Sequence, residues 1–257
     1  MKSLKYALLG GLAVLPAAAQ ADELNLICSA DVVICEKLVS EFEGSHPDTD
    51  VNMVRLSSGE AYAKIRAEAR NPQTDLWWGG TGDPHLQAGQ DGLSAQYKSP
   101  MLEKLQDWAR GQAEVSDHHT VGVYSGALGW GYNTEIFKEK GIDAPKCWAD
   151  LLDPALKGEI QVADPNSSGT AYTTLATLVQ LMGEDEAFDF LKKMHANVSQ
   201  YTKSGSAPVK AAARGETGLG IVFQHDAVAQ AVSGFPVAVV APCEGTGYEI
   251  GSMSLIG

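Results

Sequence analysis

Ala163-Asp164-Pro165-Asn166-Ser167-Ser168-Gly169-Thr170-Ala171-Tyr172 runs straight into the apolar-rich residues 173–182. It reads as the end of a strand, a tight polar turn and the first turns of a helix. Gly169 lets another group come close to the backbone. A helix N-terminus carries unpaired N–H groups and a partial positive charge. Hydroxyls beside those N–H groups, here from Ser167, Ser168 and Thr170, make a place for a phosphate or carboxylate. A Ser or Asn that merely caps the helix is the commoner use of such a turn, so the surrounding chain has to decide.

Outward from the turn, the same strand–loop–helix unit recurs. Residues 23–28 alternate as a first strand, and residues 31–43 place Val32, Val33, Leu38, Val39 and Phe42 on or near one helical face. Residues 51–56 and 75–78 read as two further strands, with a helix over 60–70 between them and helical material over 102–110. Residues 120–132 form a long extended run with glycines at 122, 126, 129 and 131, suited to crossing between lobes and to bending. After a loop at 138–145 come a short helix from Cys147, a strand over 158–163, and helices over 185–197 and 206–214. A buried-type strand over 219–223, a helix to about Ser233, a strand over 237–241 and a closing apolar stretch complete the chain. Alternating strands and helices predict a mainly parallel sheet, with ligands just beyond the C-terminal ends of its strands. Loops 29–31, 57–59 and 79–83 lie there, and all are small and polar. Two α/β lobes with a cleft between them are expected.

Lys2 and Lys5, an apolar run over 6–16 and the Ala19-Gln20-Ala21 end read as a cleaved signal peptide, residues 1–21. Its removal leaves 236 of the 257 residues and takes the formal charge from −13 to −15. A chain this acidic is a poor partner for nucleic acid or anionic lipid, so any anion must be held locally. In an oxidising compartment the four cysteines pair by default. Cys28 and Cys35 are close enough in sequence to pair, which leaves Cys147 with Cys243, one of three connectivities that sequence leaves open. No spacing suits a metal site, and no cofactor is implied.

Several motifs follow one another in a telling order: Cys28-Ser29-Ala30 with Cys35, Asp75-Leu76-Trp77-Trp78-Gly79-Gly80, Gly129-Trp130-Gly131-Tyr132-Asn133-Thr134, Pro145-Lys146-Cys147-Trp148-Ala149-Asp150-Leu151, and Asp164 through Ala171. Together they resemble the periplasmic substrate-binding proteins of ABC importers, in the branch labelled ferric-iron binding. The resemblance implies a two-lobed, type II-like α/β fold, with residues 22–125 plus 242–257 in lobe 1 and 126–241 in lobe 2. It also implies a periplasmic monomer that hands a small molecule to an ABC permease without chemistry. Family members continue past residues 253–256 with a helical section on lobe 1, so that section is expected to be missing here.

Ferric-binding members carry two adjacent tyrosines after the strand that here ends at Phe223, and this chain has Gln224-His225-Asp226 instead. That pattern, with Glu249, resembles the sugar-phosphate-binding members. The resemblance places phosphate at Ser57 or Ser58 and at Ser167, Ser168, Gly169 and Thr170, and sugar hydroxyls at His225, Asp226 and Glu249. The chemistry agrees: carboxylates accept from paired hydroxyls, neutral His donates and accepts, and both acids belong far from a phosphate. Trp77, Trp78 and Trp130 are candidates to stack on a sugar, with core packing as the plainer role. Plainer roles exist elsewhere too: helix caps for Ser57, Ser58 and Asp226, a satisfied core site for His225, a surface ion pair for Glu249, and solvent for Asp31. A ferric-iron or phosphonate receptor is the alternative. A phosphoester hydrolase using Ser168, His225 and Asp226 is more remote, because the chain lacks a Gly-x-Ser-x-Gly elbow, a His-Glu-x-x-His pair and a Walker loop.

Overall fold

The computed structural model describes residues 22–257, and the expected signal peptide lies outside them. The first half of the chain supplies β1 (Asp22–Cys28), α1 (Val32–Ser45), β2 (Thr49–Arg55), α2 (Ser58–Ala67), β3 (Leu76–Trp78), α3 (Gly82–Gln90) and α4 (Asp107–Val115). The long β4 (Val121–Asn133) then leads to α5 (Thr134–Lys140), β5 (Ile160–Ala163), α6 (Gly169–Met182), α7 (Glu184–Met194) and β6 (Val198–Thr202). The remainder is α8 (Ala207–Ala213), β7 (Leu219–Phe223), α9 (Gln224–Val232), β8 (Val237–Val240) and β9 (Tyr248–Leu255).

The strands make one mixed sheet in the order β2-β1-β3-β9-β4-β7-β5-β6, with β8 also paired to β4. β1 runs parallel to β2 and β3, and β5 parallel to β6 and β7. The long strand β4 changes partner along its length. Residues 121–127 pair antiparallel with β9, and residues 128–133 with β7 and β8. The mainly parallel sheet expected from alternation is therefore parallel only in its two flanks. The chain leaves one flank through β4 and returns through β9, and two crossings in opposite directions pair antiparallel.

Each flank has its own core. One gathers Leu128, Trp130, Trp148, Leu219, Ile221 and Phe223. The other gathers Ile27, Ala61, Ile65 and Trp77. Trp77 and Trp130 are fully buried, so neither can stack on a ligand. Trp130 donates to the Pro145 carbonyl (3.2 Å) and meets Trp148 edge-on at 5.3 Å. Trp77 donates to Ser29 Oγ (2.8 Å) and stacks on His85 at 3.6 Å. Burial drives His85 down to about 3, against a small upward pull from the Gly79 carbonyl, so this imidazole is neutral. Trp78 packs beside β1 and tilts against Tyr124 at 5.8 Å. Replacing a buried tryptophan of this kind by alanine costs about 3–5 kcal/mol.

The disulfides are Cys28–Cys35, tying the end of β1 to α1, and Cys147–Cys243, tying the turn before Trp148 to the connection between β8 and β9. Three elements escape the sequence pattern. α3 has two glycines and a proline, and its buried positions are Gly82, His85 and Ala88, with no large hydrophobe among them. α5 is seven residues long, capped by Asn133 Oδ1 accepting from Glu135 and Ile136 (2.9 and 3.0 Å) and ended by Gly141 at φ 65°. β6 is a polar edge strand paired only to β5. The expected helix over 102–110 is a single 3₁₀ turn at Leu102–Lys104 followed by α4. Among the described residues no helix is long and apolar enough to cross a membrane.

Candidate functional site

The strand ends of both flanks meet across a seam. From the first flank come the loops after β1, β2 and β3, and from the second the loops after β5, β6 and β7. Ser57 opens α2, its N–H donating to Glu60 Oε2 (3.2 Å). Thr81 opens α3, Ser168 opens α6 and Ser206 opens α8. Ser29, Ser57, Ser58, Thr81, Ser168, Gly169 and Thr170 line one cavity together with Arg55, Tyr124, His225, Asp226 and Glu249. The halves touch directly across it: Gly59 N–H donates to the Ser167 carbonyl (2.9 Å), and Ser57 Oγ to the Lys203 carbonyl (3.1 Å).

Two glycines make this approach possible. A Cβ on Gly169 would lie 2.1 Å from Thr81 Oγ1, and one on Gly59 would lie 2.5 Å from the Asn166 carbonyl oxygen. The Oγ1 of Thr81 is buried and has no hydrogen-bond partner among the described residues. Ser58 Oγ accepts from the Thr81 N–H at 3.2 Å. Ser168 is buried, and its hydroxyl makes no cap bond. Ser167 is the exception within the expected phosphate set: it does not line the cavity. Its hydroxyl faces the Lys203 carbonyl (3.0 Å) and the Asp164 carbonyl (3.3 Å), which holds the turn in shape.

Arg55 is the cation of the cavity. It donates to the Ala30 carbonyl (3.0 Å), to Ser57 Oγ (3.1 Å) and, across the seam, to Ser204 Oγ (3.1 Å). All three partners are uncharged, and among the described residues Arg55 forms no ion pair. Its charge is thus available to an anion. Sequence reasoning passed over it, although it ends β2 two residues before Ser57. Asp31 is likewise not a solvated residue. It caps α1 by accepting from Val33 N–H (3.1 Å), accepts from Ser206 Oγ (3.1 Å) and pairs with Lys210 of the opposite flank. Burial pushes its carboxyl up, but Lys210, Val33 and Ser206 together hold it below the usual range. No local sequence signal announces a partner 179 positions away.

The same cavity also holds two buried acids. Asp226 lies inside the first turn of α9, whose cap is Phe223, so it is not the cap that its sequence position suggests. Glu249 is buried in β9 rather than paired at the surface. Neither carboxylate accepts a hydrogen bond from protein among the described residues. Burial, reinforced by Asp31, pushes Asp226 up to about 7. Burial, reinforced by Asp226 and then Asp83, holds Glu249 well above the usual carboxylate range. His225 stacks on Phe223 (5.8 Å) and meets Tyr124 edge-on (6.0 Å), and burial lowers its basicity. Its Nε2 is 3.9 Å from Asp226 and 4.0 Å from Glu249, beyond hydrogen-bond reach. The His–Asp bond on which a hydrolytic triad relies is therefore not made. Tyr124 Oη accepts from Gly80 N–H (2.8 Å), and burial, then Glu249, keeps the phenol neutral. One cavity thus holds a cation with helix N-termini and hydroxyls together with partnerless protonatable acids and an imidazole of lowered basicity, and Arg55 and Lys210 are near enough to offset part of the upward push on Asp226.

The family model described as "Bacterial extracellular solute-binding protein" matches residues 82–253. The chain belongs to that family. It is 48% identical over 250 residues to an uncharacterized protein of Haemophilus influenzae, covering 97% of this chain and 72% of that one. Among solved structures it is similar to the periplasmic binding protein AfuA from Actinobacillus pleuropneumoniae, described with exogenous fructose-6-phosphate bound. The identity is 49% and the TM-score 0.88, over 92% of this chain and 74% of that one. The periplasmic binding protein P5PA is 40% identical, with TM-score 0.87 over 91% of this chain and 74% of that one. Iron-bound HitA from Pseudomonas aeruginosa, at 18% identity and TM-score 0.74 over 91% of this chain and 75% of that one, shares the fold. This solute-binding protein lacks the adjacent tyrosines expected of ferric binders, having Gln224-His225-Asp226 after β7.

Proposed function

We propose that this protein is a periplasmic receptor, acting as a monomer, that captures a phosphorylated sugar without turning it over and delivers it to an ABC permease. The observation that carries the reading is one cavity that joins a cation without an ion pair to buried acids without a protein partner. Arg55 offers a charge that no carboxylate contacts. Asp226 and Glu249 are buried acids with no protein partner. A phosphate suits the first, since it accepts from guanidinium, hydroxyl and helix N–H groups. Vicinal hydroxyls suit the second, since a hydroxyl can donate to a carboxylate and accept from a carboxylic acid or imidazole. The fructose-6-phosphate complex of the relative supports the same ligand class.

The phosphate contacts are Arg55, Ser57, Ser58, Ser168, Gly169 and Thr170, and the sugar contacts are His225, Asp226 and Glu249. The space between them is about 40 Å³, room for a few waters. Entry of a hexose phosphate therefore requires the lobes, 22–125 plus 242–257 and 126–241, to part by a hinge motion where β4 changes partner and along residues 241–247. Titration calorimetry with a hexose 6-phosphate, the unphosphorylated hexose, inorganic phosphate, a phosphonate and ferric citrate tests the reading. Binding of the hexose phosphate at least tenfold tighter than either half alone is expected. Ferric citrate or phosphonate binding without hexose-phosphate binding refutes it, as does repeated release of inorganic phosphate on incubation.

A further inference from the structure

A second chamber of about 350 Å³ lies on the far side of Glu249, and that residue lines both cavities. Its volume falls in the range of roughly 300–1,000 Å³ typical of small-molecule sites. One wall is α6, where Thr173, Ala176, Thr177 and Gln180 share a face at helical spacing. Opposite stand Asp83 of α3 and Gln112 of α4. Thr177 is 4% exposed, and its Oγ1 has no hydrogen-bond partner among the described residues. Gly247 lets the strand lead-in press against it, since a Cβ there would lie 2.1 Å from that same Oγ1. A buried hydroxyl without a partner costs about 1–3 kcal/mol. Tyr248, largely exposed at the rim, offers an aromatic face. No Lys, Arg or His among the described residues lines the chamber, so it is not built for a second anion.

We propose that this chamber receives the non-phosphorylated unit of a phosphorylated disaccharide, with Gln180 and Glu249 meeting its hydroxyls and Tyr248 covering a ring face. The proposal rests on the sugar-phosphate reading above and extends it to longer ligands. In this geometry Glu249 sits at the junction between the two sugar units and bonds to both.

Titration calorimetry of the wild-type protein and of Ala176→Leu, each with a hexose 6-phosphate and with trehalose 6-phosphate, tests it. The wild type is expected to bind the disaccharide phosphate within about tenfold of the hexose phosphate. Ala176→Leu, which fills the chamber from a half-buried helical position, is expected to weaken the disaccharide phosphate at least tenfold and leave the hexose phosphate unchanged. That unchanged value also shows the variant folded. Gln180→Ala, which removes an exposed side-chain amide from the chamber wall, is expected to lower disaccharide-phosphate affinity alone, by about three- to tenfold. Wild-type protein that binds the hexose phosphate and rejects the disaccharide phosphate overturns the proposal while sparing the reading beneath it. Equal losses for both ligands in Ala176→Leu and Gln180→Ala also overturn it. Failure to bind either phosphate overturns both.

Discussion

Asp226→Asn should make the ligand-free protein less sensitive to alkaline pH. Burial lifts the Asp226 carboxyl from its ordinary 3.8 to about 7 in the folded protein. The folded state therefore holds a proton that the unfolded chain has already released. The contribution of this group is fullest below about pH 4, declines as pH rises, and is lost by the time pH passes through about 7. Between pH 6 and pH 8 its ionisation withdraws about 1.4 kcal/mol, or about 3–6 °C in Tm for a chain of this size. Asparagine keeps the shape and removes the titration. Glu249 acts with the same sign in both proteins, and because Asp226 is one of the charges that raise it, the comparison reads the coupled pair. The assay is the melting temperature at pH 6 and pH 8, without ligand, for wild type and variant. The wild type should fall more between the two pH values, by about the 3–6 °C stated. Equal falls would refute the claim that Asp226 is a desolvated, partnerless acid in the folded cavity.

Other outcomes follow from the same geometry. Arg55→Met should weaken a hexose phosphate by about 1.5–3 kcal/mol, the value of a charge-assisted hydrogen bond, while leaving the weak affinity for the unphosphorylated hexose unchanged in parallel titrations. Gly169→Ala places a Cβ 2.1 Å from Thr81 Oγ1, so the halves cannot meet as they do. Calorimetry should show at least a tenfold loss of affinity, and small-angle scattering should show a larger radius in the presence of ligand. Replacing Cys147 and Cys243 together by serine opens a 96-residue separation and should cost about 2–4 kcal/mol, read as a shifted urea midpoint.

The pattern of strands and loops was legible because β1, β2, β3, β5 and β7 end in small polar loops, and strand ends are where open α/β sheets bind ligands. The same placement marks Gly169 and Ser168 as candidates. The resemblance marks Asp226 and Glu249 as candidates, and the structure brings both into one cavity. What the sequence hid is long-range. Arg55 looks like an ordinary surface base until Ala30, Ser57 and Ser204 are seen around it. Asp31 looks solvated until Lys210 arrives from the opposite flank. Trp77 and Trp130 have the composition of a sugar platform, yet their indole N–H groups are satisfied by Ser29 and Pro145 inside the cores. α3 was hidden because its buried positions are Gly82, His85 and Ala88, with no large hydrophobe among them. Ser167 lies outside the cavity lining because a hydroxyl in a phosphate-like turn can equally bond neighbouring carbonyls.

A crystal structure of the protein with a hexose 6-phosphate shows the polarity of the cavity outright. The phosphate is expected against Arg55, Ser58 and the N-terminus of α6, with sugar hydroxyls on His225, Asp226 and Glu249. Density for the phosphate at the Asp226–Glu249 end, or a ligand bound away from the seam, would contradict it.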